Sequence, residues 1–586
     1  MFAQRIEKAQ QEERELQGKD RIIVAIRLFV AVAIAFLIYR GITEELGLYA
    51  WLTGGAVAVF IGIVVIHSKL RKDIGLLRLY QEVNKDYIRR QTDEWHVFED
   101  SGTDLADSLH PYAYDLDIVG EFSLFKKINV AHTYLGRKKL GDFLLQPDKS
   151  TINQRKQAVE DLSGKIDFVQ KLQVIFRDNK GVADDTSKWA SPEKVEMPNY
   201  LNIVATIMPI INITTIVGGY ITSNPTLMLI GLICVGVCLS ARMLLLAHIS
   251  HQLEVLRTIS YQIEPYIKAF KLIEDEQFGS EYLANKCKSI IGGDDGILLS
   301  LQRLEKIASF ATISQQPMLA LPLNGLLIWD FWVMKFCIDW RSEHGTSVEK
   351  ALELVAEFEA LGSLATLSFV EDARIFGEVN PQKVIQGSEL AHPLIMKEKR
   401  IANTFKMDDE IFIITGSNMS GKTTFLRTIG INLVMMYAGA PICGKSFKGC
   451  IVDVHTSMRT SDSLGQHTST FHAEINRIKL LLDATKSGAT ILFLIDEIFR
   501  GTNSRDRISG AKGIITALKQ GGAIGAITTH DLEMCVLGEQ DGIVNYHFTD
   551  FFDNKQMYFD YKIKDGVATK TNAKYLMKMI GIEVIE

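Results

Sequence analysis

The sequence predicts α-helical membrane hairpins, an α-helical core with long lever helices, and an α/β P-loop domain at the C-terminal end. Three observations predict this: uncharged apolar runs in the first 250 residues, long stretches with helical spacing between them, and short β-branched runs alternating with helical segments after about Ala391. A chain of 586 residues is too long for one core, so several modules are expected. The boundaries fall at 1–73 (two transmembrane helices), 74–200 (helical core), 201–247 (second transmembrane hairpin), 248–385 (lever helices) and 386–586 (P-loop domain).

Leu46 to Ile66 carries no charge, and neither does Leu201 to Ala241, which Ser223-Asn224-Pro225 breaks in the middle. Each piece approaches the ~20 residues that carry a helix across ~30 Å of hydrocarbon. Ile22 to Tyr39 holds only Arg27, placed near one end where its side chain can reach the interface. This gives four spans. The residues before the first span balance acids against bases and offer no small-residue cleavage site, unlike a signal peptide. Lys69, Arg71, Lys72 and Arg78 follow the second span and Arg242 the fourth, so both hairpins point outward and the bulk, including the P-loop domain, is expected in the cytoplasm. A fifth apolar stretch, Met318 to Ile338, contains Asp330 and Lys335 and is expected to be a buried helix outside the membrane.

The net charge of -6 excludes a global basic field, so nucleic acid would need a local patch. The seven cysteines show no C-x-x-C pair and read as buried thiols rather than a metal site. Residues 74–190, His251 to Lys288 and Leu298 to Leu367 have helical periodicity. Ile411 to Ile414, Ile491 to Ile495 and Ala523 to Thr528 read as buried strands.

Gly416-Ser417-Asn418-Met419-Ser420-Gly421-Lys422-Thr423 fits G-x-x-x-x-G-K-[ST], follows an apolar strand and opens a helical pattern at Thr424. The glycines let backbone N–H groups close around phosphates. Lys422 reaches the β/γ oxygens, and the Thr423 hydroxyl ligates Mg²⁺. The strand Ile491 to Ile495 ends in Asp496-Glu497, two carboxylates for which a core strand has no use. Asp496 suits the Mg²⁺ shell and Glu497 the attacking water, which together predict hydrolysis of ATP. His530 follows a third strand and is placed to sense a γ-phosphate; a lone histidine is more often structural, so position alone supports it.

At these residues the chain resembles the MutS family of DNA mismatch-repair ATPases. The family's G-P-N-M-G-G-K-S-T is similar to Gly416 through Thr424, and its D-E-I-G-R-G-T-S to Asp496 through Asn503. Ser461 to Phe471 resembles the segment ending S-T-F, so the resemblance implies that Ser469 contacts nucleotide held by a partner subunit. Similarity continues at Asp115-Leu116-Asp117-Ile118, Leu145-Gln146-Pro147 and Glu357 to Leu361. It implies an ATPase domain of ABC/MutS type, a head-to-tail homodimer and DNA, mismatched or otherwise structured, as ligand. The chain departs from the family in two places. His467 and Thr468 replace a glycine and an arginine, and the N-terminal region, where a mismatch reader with a Phe-x-Glu wedge is expected, is apolar. Phe-x-Glu occurs only at Phe369 to Glu371 and Phe376 to Glu378. A reading of a different class therefore stands beside the first: a membrane-bound ATP-driven mechanoenzyme or scaffold acting on a protein partner, without DNA.

Overall fold

Fifteen α-helices are present among the described residues of the computed structural model: α1 (Phe2–Thr43), α2 (Leu46–Gln91), α3 (Leu124–Ile128), α4 (Tyr134–Leu145), α5 (Ile152–Leu162), α6 (Ile166–Arg177), α7 (Asn199–Ile221), α8 (Pro225–Glu274), α9 (Glu281–Ile291), α10 (Ile297–Ile313), α11 (Pro317–Leu327), α12 (Trp329–Val370), α13 (Lys422–Ala438), α14 (Thr470–Thr485) and α15 (Ser504–Gln520). The structure describes residues 1–44, 46–178, 199–291, 296–371, 373–458, 470–486, 488–499, 503–553 and 556–568. They fall into two units, one of residues 1–85, 131–137 and 167–359, the other of 86–130, 138–166 and 360–586.

In the first unit, α1, α2, α7 and the first part of α8 are long and apolar enough to cross a membrane. Their apolar surface is uncovered: Phe29, Trp51, Tyr220 and Leu232 are each more than two-thirds exposed. A surface of this kind needs a non-aqueous neighbour. The turn between α7 and α8 is set by Asn224, whose carboxamide oxygen accepts from the Thr226 and Leu227 N–H groups, with Pro225 supplying the first helical residue. Below the first hairpin, Glu13 accepts from Arg78 and Gln81 at 2.7 and 2.8 Å, which ties α1 to α2.

The Met318 to Ile338 stretch departs from expectation. It is two helices, α11 and α12, bent by 77° at Ile328, which sits in the left-handed region with φ 50°. Met318, Leu319 and Leu321 are exposed rather than buried. The charge that argued for an ordinary core helix, Asp330, is fully buried against Arg242 at 2.8 Å.

Further along α12, Glu359 is buried and accepts from the backbone N–H groups of His132 and Thr133 and from the Thr133 hydroxyl, at the start of α4. Burial outweighs these donors and raises the carboxyl from an ordinary 4.5 to about 7. A carboxyl raised on folding favours the fold fully below about pH 4.5, and that advantage is lost as pH rises through 7. At ~1.4 kcal/mol per tenfold change the loss is about 3 kcal/mol. Melting temperature is therefore expected to fall between pH 5 and pH 8, and Glu359→Gln to flatten that profile; an unchanged slope in the variant would assign the pH dependence elsewhere.

The second unit holds the sheets. Strands β5 (Ile411–Thr415), β8 (Asp453–Ser457), β9 (Ile491–Asp496), β10 (Ile524–Thr529), β11 (Ile543–Asp553) and β12 (Gln556–Asp565) form a six-stranded sheet in the order β12-β11-β5-β10-β9-β8. All neighbours run parallel except β11 and β12. β5, β9 and β10 are buried along their whole length, which is why they read as continuous apolar runs. A four-stranded sheet, β2 (Glu378–Val379), β7 (Ser446–Gly449), β3 (Val384–Leu390) and β4 (Asn403–Asp408), and the pair β1 (Ile375–Phe376) and β6 (Pro441–Ile442) complete it.

Candidate active site

Register decides where the chemistry gathers. Thr415 pairs with Thr529, and Asp496 with Thr528, so the carboxyl ends of β5, β9 and β10 lie level. Each chain leaves the sheet at that edge, placing the 416–421 loop, Glu497 and His530 side by side. Parallel α/β sheets offer ligand sites at this edge.

The loop from β5 to α13 is shaped by two glycines in the left-handed region, Gly416 at φ 146° and Gly421 at φ 104°. A Cβ at Gly416 would stand 2.8 Å from the Phe548 carbonyl oxygen, so no other residue fits without moving β11. Lys422 is almost wholly buried and donates to the carbonyls of Gly416 and Ser417 at 2.8 Å each, folded over its own loop. The hydroxyls of Ser417 and Ser420 are buried and have no partner among the described residues. Buried donors of this kind beside a helix N-terminus fit an anionic oxygen. Met419 is 85% exposed at the loop tip.

The Thr423 hydroxyl donates to Asp496 Oδ2 at 2.9 Å, and Thr528 donates to Asp496 Oδ1 at 2.6 Å. Two hydroxyls thus fix both oxygens of a nearly buried carboxylate, leaving Thr423 and Asp496 oxygens adjacent. This donor set, one hydroxyl and one carboxylate, fits Mg²⁺, which takes few protein oxygens and completes its shell with water and phosphate. Glu497 has φ 51°, and its N–H donates to the Thr528 hydroxyl at 3.1 Å. Its carboxylate lies 2.6 Å from His530 Nε2, which is also 2.7 Å from Asn418 Oδ1. Asn418, His530 and Glu497 therefore form one bridge from the loop to the acid. Behind it is a cavity of about 200 Å³ lined by Glu497, Thr529, His530 and the Arg507–Asp531 pair, whose two contacts are 2.8 and 2.9 Å.

All candidate residues from Gly416 to Thr424, with Asp496, Glu497 and His530, come together at this edge. Ser469 lies outside the described residues. Sequence reasoning missed Thr528, because a buried threonine inside an apolar strand has no local signature. It also missed a second cavity, about 210 Å³, on the other side of the loop, lined by Gly421, Thr424 and Phe425 together with Lys399, Ile401 and Tyr561. His392 borders it; burial, reinforced by Arg427, Lys127 and Arg400, lowers its imidazole to about 3 and keeps it neutral.

Asp115 and Asp117 also pair with residues of this unit near the candidate site. Asp115 Oδ2 accepts from the Thr456 hydroxyl, the Met458 N–H and Arg477 at 2.9, 3.0 and 3.2 Å. One carboxylate thus joins the end of β8 and the residue after it to α14. Asp117 pairs with Arg427 of α13 at 2.8 Å.

Residues 412–585 match the family model for MutS domain V. The chain is similar to the DNA mismatch repair protein MutS of Brevibacillus brevis, 32% identical over 244 residues, covering 39% of this chain and 28% of that protein. It is also similar to the DNA mismatch repair protein MutS of Thermotoga neapolitana, 32% identical over 249 residues, 40% of this chain and 30% of that protein. The Endonuclease MutS2 of Carboxydothermus hydrogenoformans is 27% identical over 242 residues, 41% and 30%. The matches span less than a third of the length of these curated relatives.

Proposed function

We propose that this chain is a membrane-anchored, MutS-like Mg²⁺-dependent ATPase whose nucleotide cycle is coupled to DNA binding. The observation that carries the ATPase reading is the level edge at which Lys422, Thr423, Asp496, Glu497 and His530 meet. Similarity to the mismatch-repair proteins supports the DNA reading.

In this reading the loop N–H groups and the Ser417 and Ser420 hydroxyls take phosphate oxygens, and Lys422 exchanges its two carbonyls for the β/γ oxygens. Thr423 and Asp496 would hold Mg²⁺, which when bound neutralises charge on the phosphates. Glu497 orients the attacking water and accepts its proton. His530, joined to Asn418, transmits the position of the loop to Glu497. The second cavity, with aromatic Phe425 and Tyr561 and the polar Lys399, suits the adenine base. Two copies act as a homodimer, with Ser469 of one completing the phosphate site of the other. Four spans hold the chain in the bilayer with the ATPase in the cytoplasm, and ATP-driven movement passes along the lever helices.

DNA binding is tested on the full chain in detergent by titrating mismatched and perfectly paired duplexes with and without ATP at several salt concentrations. Phosphate contacts release counterions, so the logarithm of affinity is expected to fall linearly with the logarithm of salt, steeper by about 0.9 for each phosphate contacted. Absent or salt-independent binding would remove DNA and leave a mechanoenzyme acting on a protein.

A further inference from the structure

We propose that α11 is a re-entrant wedge, inserted among the acyl chains of the bilayer leaflet on the side where α7 begins and the apolar part of α8 ends. The proposal rests on reading α7 and α8 as a membrane hairpin and goes beyond it by adding a fifth lipid-embedded element that does not cross.

The chain carries no charge from Ile307 to Trp329. Within that run α11 packs against both hairpin helices. Asn212, fully buried in the middle of α7, donates its amide to the carbonyls of Gly325 and Leu326 at 3.1 and 3.3 Å. These are carbonyls of the last turn of α11, which have no partner within their own helix. A side chain at Gly325 would stand 2.9 Å from Val235 of α8, so the glycine allows the backbones to approach closely. The end of α11 is therefore satisfied at the depth of the hairpin's middle, as backbone in hydrocarbon requires.

Length and direction then exclude a crossing. The 11 residues of α11 rise about 16 Å, roughly half of the ~30 Å hydrocarbon core. At Ile328 the chain bends by 77° and leaves the axis of α11 rather than continuing along it. Asp330 meets Arg242, near the end of the apolar part of α8, and Lys335 donates to Asn202, near the start of α7, at 3.3 Å. Arg242 and Asn202 lie at the same end of the hairpin. Where the chain re-emerges, Trp329 donates its indole N–H to the Phe310 carbonyl at 3.0 Å and Trp332 lies tilted against Phe336, ring centroids 6.1 Å apart. Tryptophan at such a level marks a membrane interface. Met318, Leu319 and Leu321 of α11 are exposed, as are apolar residues of the α7 and α8 helices it packs against, and apolar surface on an element packed against lipid-facing helices is covered by the same lipid.

The full chain in nanodiscs tests this, with the half-exposed Cys234 and Cys287 replaced by alanine and a bimane label placed at Leu321→Cys, Leu232→Cys or Leu480→Cys. Lipids with a nitroxide on the acyl chain are expected to quench Leu321 as strongly as Leu232 on α8, and to leave Leu480 on α14 unquenched. Quenching at Leu232 without quenching at Leu321 overturns the wedge and keeps the hairpin. No quenching at Leu232 overturns the hairpin reading, and the wedge with it. In sealed vesicles an impermeant maleimide is expected to reach Gln315→Cys and Ser342→Cys from the same face; labelling from opposite faces would make the segment a crossing and end the re-entrant assignment.

Discussion

Lys422→Ala is expected to abolish ATP turnover, to below about 1% of the unaltered chain, and Asp496→Ala to do the same. The two act on different parts of one charge balance. Lys422 is nearly buried in contact with its own loop, so alanine removes the cation from a place water does not readily fill. Asp496 holds Thr423 on one oxygen and Thr528 on the other, and its loss leaves both hydroxyls unaimed and the metal without its carboxylate. Because Lys422→Ala also opens a cavity, Lys422→Met is the companion variant, keeping volume while removing charge. Undiminished hydrolysis by either folded variant refutes the site. The same variant tests the subunit arrangement. A Lys422→Ala chain keeps Ser469, and a Ser469→Arg chain keeps its P-loop, so a mixed dimer that shares sites in trans has one site fully intact. Each homodimer has none. Mixing is expected to restore turnover, or at least a single-turnover burst; mixed dimers that form and show neither place Ser469 outside the partner's site.

The parts of the site legible in the sequence are those whose chemistry demands neighbours along the chain. A phosphate cradle needs consecutive backbone N–H groups, so Gly416 to Thr423 announces itself, and the strand before it is apolar because both faces of β5 are covered. Asp496 and Glu497 are legible because two acids end an otherwise wholly apolar strand. Thr528 is not, because its role arises from pairing opposite Asp496 in a register that only the folded sheet defines. Tyr561 and Lys399 are far from the loop in sequence and converge through β12 and the segment before β4. The same holds for Asp115. The repeat of charged and apolar residues identifies helical surroundings but carries no sign that 86–130 and 138–166 cluster with the C-terminal residues. The Met318 to Ile338 stretch is not the single buried helix its apolar run suggests, because the break at Ile328 has no local signature and the partners of Asp330 and Lys335, Arg242 and Asn202, are distant in sequence.

Glu497→Gln is expected to keep nucleotide affinity and slow hydrolysis by roughly 10²-fold or more, the scale of losing a well-placed general base. The substitution is nearly isosteric, and the backbone that aims the side chain is held independently by the Glu497 N–H on Thr528. Its oxygen still meets His530, and a glutamine amide still orients water, but it accepts no proton. The defect should therefore appear in the chemical step alone. His530→Ala is a useful contrast, because His530 joins Glu497 to Asn418 across 2.6 and 2.7 Å and its removal breaks that bridge without neutralising the acid. A smaller loss is expected there than at Glu497. Equilibrium binding of labelled ATP, compared with single-turnover phosphate release, separates the cases: if Glu497→Gln weakens binding while bound ATP is hydrolysed at the normal rate, Glu497 holds nucleotide rather than water, and the bridge through His530 serves to position substrate.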